Sequence, residues 1–253
     1  MIESVRKAMK ILTVIADNGG QPLPLGEISA RVGINKATCA HIVDTLVCEG
    51  FLVKISPTKG YITGPAAYCL SRFGRYGSDL ISVCRPVMNY LYNTLGHCVV
   101  LAVIQGSTKY VIDYIDDGQI FESKQKIRKD DIYRTATGRV ILENMSDEQI
   151  HAIWQKYGKP TKAHWAEIET VDDLLGYRNN AAKAEVIATR MENRDGSIHY
   201  GYAAPIKSGI RCMGALGVAV KLSADQEKAF LEQQENNIKN LLSKGAALVS
   251  KRI

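Results

Sequence analysis

Residues 25–64 read LGEISARVGINKATCAHIVDTLVCEGFLVKISPTKGYITG, and their patterning decides the N-terminal architecture. Leu25, Ile28 and Val32 recur at helical spacing, and Gly33 ends that helix as a left-handed C-terminal glycine does. Asn35 caps a second helix that Lys36 opens, with Cys39, Ile42, Val43, Leu46 and Val47 facing inward. The opposite face carries Ala37, Ala40, His41 and Asp44, with Lys36 and Thr38 near its start. Glu49-Gly50 stops the helix, Phe51 to Ile55 alternates like a strand, Ser56 to Gly60 turns, and Tyr61 to Thr63 returns. Helix, turn, helix and hairpin in that order make a winged device for reading DNA. A tri-helical unit with a hairpin also serves as a protein-interaction module. Charge does not separate the two, because residues 1–64 hold seven Lys/Arg against five Asp/Glu and the whole chain is only +6. Residues 2–16 predict a supporting helix with Val5, Ala8, Met9, Leu12 and Ile15 on one stripe.

Working outward, 253 residues are long enough for two domains. The boundaries fall at 1–64 for the winged helix–turn–helix, 65–77 for a linker helix opened by Pro65 and ended by Gly74 and Gly77, and 78–253 for a second domain. Asp79 to Leu95 reads as an amphipathic helix that Pro86 kinks or restarts. Strands are predicted at Cys98 to Ile104, Lys109 to Ile115 and Ile120 to Ile127, with a hairpin turn at Asp117-Gly118. Helices follow at Ala136 to Met145, Asp147 to Tyr157 behind a Ser146 cap, and Val171 to Lys183. Strands return at Glu185 to Met191, His199 to Ile206 and Met213 to Lys221, and Asp225 to Ser250 closes the chain as one long helix. Six strands in sequential hairpins among helices imply an α+β domain with an antiparallel sheet.

The same reading excludes several functions. No run of 18 apolar residues exists, so no membrane span is expected, and residues 2–16 are too charged for a secretory leader. Six scattered cysteines without a C-x-x-C point to reduced core residues in a cytoplasmic protein rather than to a metal site. No hydrolase elbow, zinc-protease motif, Walker loop or dinucleotide fingerprint is present, and the five histidines form no i,i+4 pair. The chain is therefore read as a non-enzyme with no cofactor and no metal.

Particular segments resemble the IclR family of transcriptional regulators. Ser4 to Leu12 is similar to the family's opening, Pro24 to Ile28 and Gly33 to Thr38 to its helix–turn–helix, and Gly60-Tyr61 with Gly64-Pro65 to its wing. Thr135 to Arg139 resembles its Thr-Ala-x-Gly-Lys segment. Ala203 to Ile206 and Gly214 to Val218 resemble its two late sensor strands. The resemblance implies a GAF-like effector-binding domain behind the winged helix, a double-stranded DNA operator as partner, and a homodimer or dimer of dimers.

The site expectations follow. Lys36, Thr38 and the wing lysines Lys54 and Lys59 grip phosphates, while Ala37, Ala40, His41 and Asp44 turn to the bases. The reading helix departs from the family where Ala40 and His41 replace a His-Arg pair, which predicts a different base preference. A small-molecule effector, an organic acid or aromatic metabolite, is expected where Thr135, Ala136, Thr137 and Gly138 enter a helix whose first N–H groups can take an oxyanion. Thr135 or Thr137 serving as a plain cap, with Gly138 permitting close packing, is the alternative. Gly201, Gly217 and Ala219 stand where relatives carry cysteine and a Ser-x-Ser pair, and Thr189 to Glu192 where they carry an acidic run. Losing those polar groups predicts a wider, less polar pocket, on which Tyr133, Tyr202 and the neighbouring Tyr200 could stack.

Overall fold

The computed structural model describes residues 1–73, 78–116, 131–180, 185–193 and 195–253. The expected strand at 120–127, the Asp117-Gly118 turn and the glycines at 74 and 77 lie outside these residues. The chain divides into two compact units that meet near residue 77 of the sequence.

The first unit holds α1 (Glu3–Ala16), α2 (Leu25–Val32), α3 (Lys36–Cys48), β1 (Leu52–Ser56), β2 (Gly60–Thr63) and α4 (Pro65–Phe73). Ile11, Ile15, Ile28, Cys39, Val43, Leu46, Leu52 and Tyr61 close its core. Gly33 takes φ +76° and its N–H reaches the Ser29 carbonyl, as the sequence predicts. Helix α1 is rotated from the predicted stripe. Val5 and Met9 are more than half exposed, and Ile11 joins Ile15 in the core instead. Apolar residues cover too much of α1 for spacing alone to choose a face.

Leu23 adds a bridge to the wing, its N–H and carbonyl pairing with Tyr61 at 2.9 and 3.0 Å. Gly60 makes this possible. A Cβ there would lie 2.1 Å from the Leu23 oxygen, and its φ of +97° is one that only glycine holds without strain.

The second unit is a sheet covered on both faces. Its strands are β3 (Cys98–Gln105), β4 (Thr108–Ile115), β5 (Ile187–Glu192), β6 (Ile198–Ser208) and β7 (Arg211–Leu222). They lie in the order β4-β3-β7-β6-β5, all antiparallel. The sheet is thus not a run of sequential hairpins, because its centre joins β3 to the distant β7. Helices α5 (Ser78–Leu95), α10 (Glu227–Gln233) and α11 (Glu235–Ser250) cover one face. Helices α6 (Asp131–Arg134), α7 (Ala136–Glu143), α8 (Asp147–Tyr157) and α9 (Val171–Asn180) belong to the core on the other. A capping box between Ser146 and Gln149 starts α8 where the sequence placed it.

Two helix expectations change. Helix α5 runs unbroken through Pro86, because Cys84, Val87, Met88 and Leu91 bury its inner face and outweigh one lost backbone bond. The C-terminal helix is two, broken at Gln234, whose φ widens to −117°. A clasp fixes the first piece. Glu227 accepts from Arg190 at 2.6 and 3.1 Å and from the Tyr200 hydroxyl at 2.6 Å. Of the six cysteines, Cys39, Cys84 and Cys98 are buried, Cys212 is half-buried, and Cys48 and Cys69 are exposed rather than in the core. Among the described residues no helix is long and apolar enough to cross a membrane.

Two stability predictions follow from these contacts. Gly60→Ala should cost about 2–3 kcal/mol, because backbone strain and overlap act together. Gly20→Ala, at φ +75° with open space around it, should cost about 1 kcal/mol from strain alone. Equal losses in chemical denaturation would refute the packing argument. The clasp holds the Glu227 carboxyl at about 2, well below the usual 4.5, through hydrogen bonds from Arg190 and Tyr200. A depressed carboxyl stabilises fully above its unfolded value and loses that effect as pH falls toward the folded one. The melting-temperature gap between wild type and Glu227→Gln should therefore be constant above pH 4.5 and close as pH approaches 2.

Candidate nucleic-acid interface and ligand site

In the first unit, burying one face of α3 turns the other outward. Asn35 caps the helix, its Oδ1 accepting the Thr38 N–H at 2.7 Å. Lys36, Ala37, His41 and Asp44 are exposed, while Thr38 and Ala40 are half-buried beside Cys39 and Val43. Positions 37, 41 and 44 follow one another at helical spacing on a single outward strip. Thr45, missed in the sequence reading, is exposed beside Asp44 and ties its hydroxyl to the His41 carbonyl at 2.9 Å. Its threonine type gave no sign, since mid-helix threonines often bond backward in this way.

The wing brings two cations to its surface. Lys59 is exposed in the turn, and its N–H donates to Ser56 Oγ at 2.9 Å. Lys54 is exposed on β1 with its ammonium 5.9 Å above the Tyr61 ring centre. Val53 and Ile55 beside it are 38 and 44% exposed, so the wing offers apolar contact as well.

In the second unit, α7 presses its first turn into a trough of small residues. Ala203 lies opposite Gly217, and Gly201 opposite Ala219, where β6 and β7 pair. A Cβ at Gly217 would stand 2.7 Å from the Thr137 methyl. One at Gly201 would stand 2.8 Å from Thr189 Oγ1 and 3.5 Å from the Ala136 Cβ. The missing side chains therefore do not leave a wider pocket at these positions, because the helix has moved into their space. Gly138 is needed for the same reason, since a Cβ there would meet the Ile132 oxygen at 2.1 Å.

Thr135 is the N-cap of α7, its Oγ1 accepting the Gly138 N–H at 3.2 Å. Thr135, Ala136, Thr137, Gly138, Gly201, Gly217 and Ala219 are thus brought together. The two tyrosines are not. Tyr133 is buried in the helical core and spends its hydroxyl on the Gly158 carbonyl at 3.0 Å. Tyr202 lies on the opposite sheet face, stacked with Tyr200 and packed against Phe230 under α10. Alternation fixed that Tyr200 and Tyr202 share a face, but both faces of this sheet are buried, so it could not say which.

The sequence reading also missed a set of cations. Lys109 on β4 is only 6% exposed, and its ammonium donates to Thr135 Oγ1 at 2.8 Å and Thr137 Oγ1 at 3.4 Å. Arg134, one residue before the cap, has a buried Nε without a hydrogen-bond partner. His199 is half-buried on β6, and burial, then the charges of Lys221 and Arg134, push its pKa below 6.5. The detectable signal was parity along β6, which puts His199 on the same face as Gly201.

A separate open cleft of ≈ 580 Å³ lies among α7, α9 and the segment between α8 and α9, lined partly by Arg139, Trp165 and Tyr177. Arg139 stacks 4.1 Å from the Trp165 ring centre and donates to the Tyr133 and His164 carbonyls. These bonds engage Arg139 in holding the helices together.

Both parts of the chain resemble known proteins. Residues 4–56 match the IclR helix-turn-helix domain and residues 76–181 the bacterial transcriptional regulator IclR C-terminal domain. The acetate operon repressor of Salmonella typhimurium is 22% identical over 70% of this chain and 66% of its own length. The match spans 66% of the length of that repressor and 60% of that of the transcriptional repressor IclR of Escherichia coli. Those relatives are repressors of transcription. An IclR homolog from Microbacterium hydrocarbonoxydans, solved with 4-hydroxybenzoate, superposes with TM-score 0.74 at 15% identity, covering 98% of both chains. An IclR transcriptional regulator from Alicyclobacillus acidocaldarius gives 0.75 at 18% identity, covering 100% of this chain and 99% of that one. At such identities the likeness is one of fold.

His199 supplies a test of the cation cluster. A histidine with a depressed pKa stabilises fully above its unfolded value and loses that effect as pH falls below it. Its imidazole resonances should titrate below 6.5, and Arg134→Gln should move them back upward by removing one of the three causes. An unmoved titration would place Arg134 too far away to act.

Proposed function

We propose that this chain, which belongs to the IclR family of transcriptional regulators, binds a DNA operator sequence-specifically and releases or grips it in response to a small-molecule effector. The observation that carries the reading is the outward strip of α3. Helix α3 buries Cys39, Val43 and Leu46 and leaves small and polar groups facing out, as entry into a major groove requires. Ala37 and Ala40 let the backbone approach, while His41 and Asp44 supply polar contacts to base edges. Lys36, Thr38, Lys54 and Lys59 engage phosphates, which position the helix without specifying sequence.

One such helix reads only a few base pairs, so useful selectivity needs two copies on a two-fold site. A homodimer or a dimer of dimers meets that need, acting in the cytoplasm where the operator lies. The second unit serves as the sensor, taking an organic acid or aromatic metabolite beside the first turn of α7. The relative solved with 4-hydroxybenzoate supports this ligand class. Control is a coupling free energy, so the effector and the operator must change one another's affinity by the same factor.

Selection of bound fragments from sheared genomic DNA, followed by anisotropy titration, tests the reading. Affinity should fall steeply with salt, and Lys36→Ala should reduce the slope of log K against log salt by about 1 per engaged subunit. His41→Ala should cost about 1–3 kcal/mol on the selected site and little on random duplex. A chain that enriches no fragment is instead a sensor whose winged helix contacts protein.

A further inference from the structure

We propose that the tip of the β6–β7 hairpin docks in the open cleft between α7 and α9 of a second copy of this chain, and that the second copy returns the same contact. This rests on the reading of the chain as self-associating and gives that association a surface. The tip is built to reach outward. Ser208 pairs with Arg211, so Gly209 and Ile210 form a two-residue turn, and Gly209 holds the positive φ, +59°, that such a turn asks for. Ile210 is fully exposed at the apex. Turns favour glycine, asparagine, aspartate and serine, so a β-branched apolar residue there contributes nothing to the turn itself. Nor is the tip loose. The Lys207 N–H donates to Ser250 Oγ at 2.9 Å and the Ser208 hydroxyl to the Ile253 main-chain oxygen at 3.2 Å, which ties the hairpin to the end of α11. Arg211, Lys251 and Arg252 are exposed around these ties, so the tip is cationic as well as apolar.

The cleft has the opposite character. Trp165, Ile168 and Tyr177 give it apolar walls, and Glu167, Asp172 and Asp173 bring exposed carboxylates to its rim. Among the described lining residues the one cation is Arg139, whose guanidinium already lies over Trp165 and donates to two carbonyls. Helix α9 leaves room for an occupant, since a Cβ at Gly176 would meet no atom within 4 Å. An isoleucine entering between the apolar walls leaves water, and an arginine beside it gains carboxylate partners. Knob and hollow also lie side by side on one unit. The Tyr177 hydroxyl bonds to the Glu143 carboxyl, and the Lys207 charge acts on that same carboxyl. A cationic knob beside an anionic hollow is complementary to itself. A two-fold axis between them seats each knob in the other's hollow, and the contact closes after two copies.

The test is sedimentation velocity on the full chain over a range of concentration and salt. Wild type should show an association step whose dissociation constant rises with salt. Arg211→Glu and Asp172→Arg should each raise that constant about tenfold or more, and the two together should recover part of the loss. Gly176→Leu fills the cleft from a helical position with open space around it, so it should weaken association with no change of charge and no loss of fold. Association unchanged in Arg211→Glu or in Gly176→Leu, a double variant no better than the single ones, or a wild-type chain that stays monomeric overturns the proposal. Operator selection is measured separately. Enriched fragments with association unmoved by these variants count against this inference alone, and no enriched fragment counts against the regulator.

Discussion

The close approach of α7 to the sheet is the contact on which the second unit depends. Three glycines, at 138, 201 and 217, each stand where a single Cβ would overlap a neighbouring atom at 2.8 Å or less. Two of those neighbours are side-chain atoms of Thr137 and Thr189, but the third is the Ile132 backbone oxygen, which cannot rotate away. Folding α7 this deeply sets the Thr135 cap beside Lys109 and fixes where the helix's first turn points. It also explains how positions that look emptied of side chains leave no void, since interiors close up to native density.

The first unit uses the same device for another end. Gly60 admits the Leu23 carbonyl, and a Cβ at Gly64 would lie 2.2 Å from the Gly50 oxygen. Backbone contacts therefore fasten the wing to the helices, and no side chain of the outward α3 strip is needed for that purpose. The strip keeps its small and polar groups for whatever it meets. A rigid scaffold behind a reading surface is what allows a few contacts to discriminate.

The parts legible in the sequence were local. Helical spacing placed α2, α3 and α8, and the Asn35 and Ser146 caps are visible because capping needs only three or four successive residues. What escaped was settled by distant partners. Val5 and Met9 looked as buried as Ile15, and only the packing of Ile11 against the rest of the unit selects the face. The pairing of β3 with β7 joins residues more than a hundred positions apart, and nothing in either strand announces it. Gln234 carries no breaker signal, and the helix ends there because α10 is clasped to β5 and β6. Lys109 reads as an ordinary strand-end lysine until β4 places it beside a threonine cap from another part of the chain.

The two units solve opposite electrostatic problems, and this bears on how regulation can work. The outward strip of α3 is weakly charged, so under the proposed function each reader binds modestly and holds DNA chiefly in pairs. The second unit instead buries the Lys109 ammonium beside the Thr135 cap, in a low-dielectric core where charged contacts are worth far more than at the surface. Under the proposed function, an effector bound in the second unit contributes binding energy. Only the part of that energy that differs between arrangements favouring and disfavouring DNA can be transmitted. Couplings of about 1–3 kcal/mol, or 5- to 150-fold, are usual between such sites. Against strong single readers that would be a small correction. Against paired, modest ones, as the proposed function has them, it is enough to move operator occupancy from mostly filled to mostly empty.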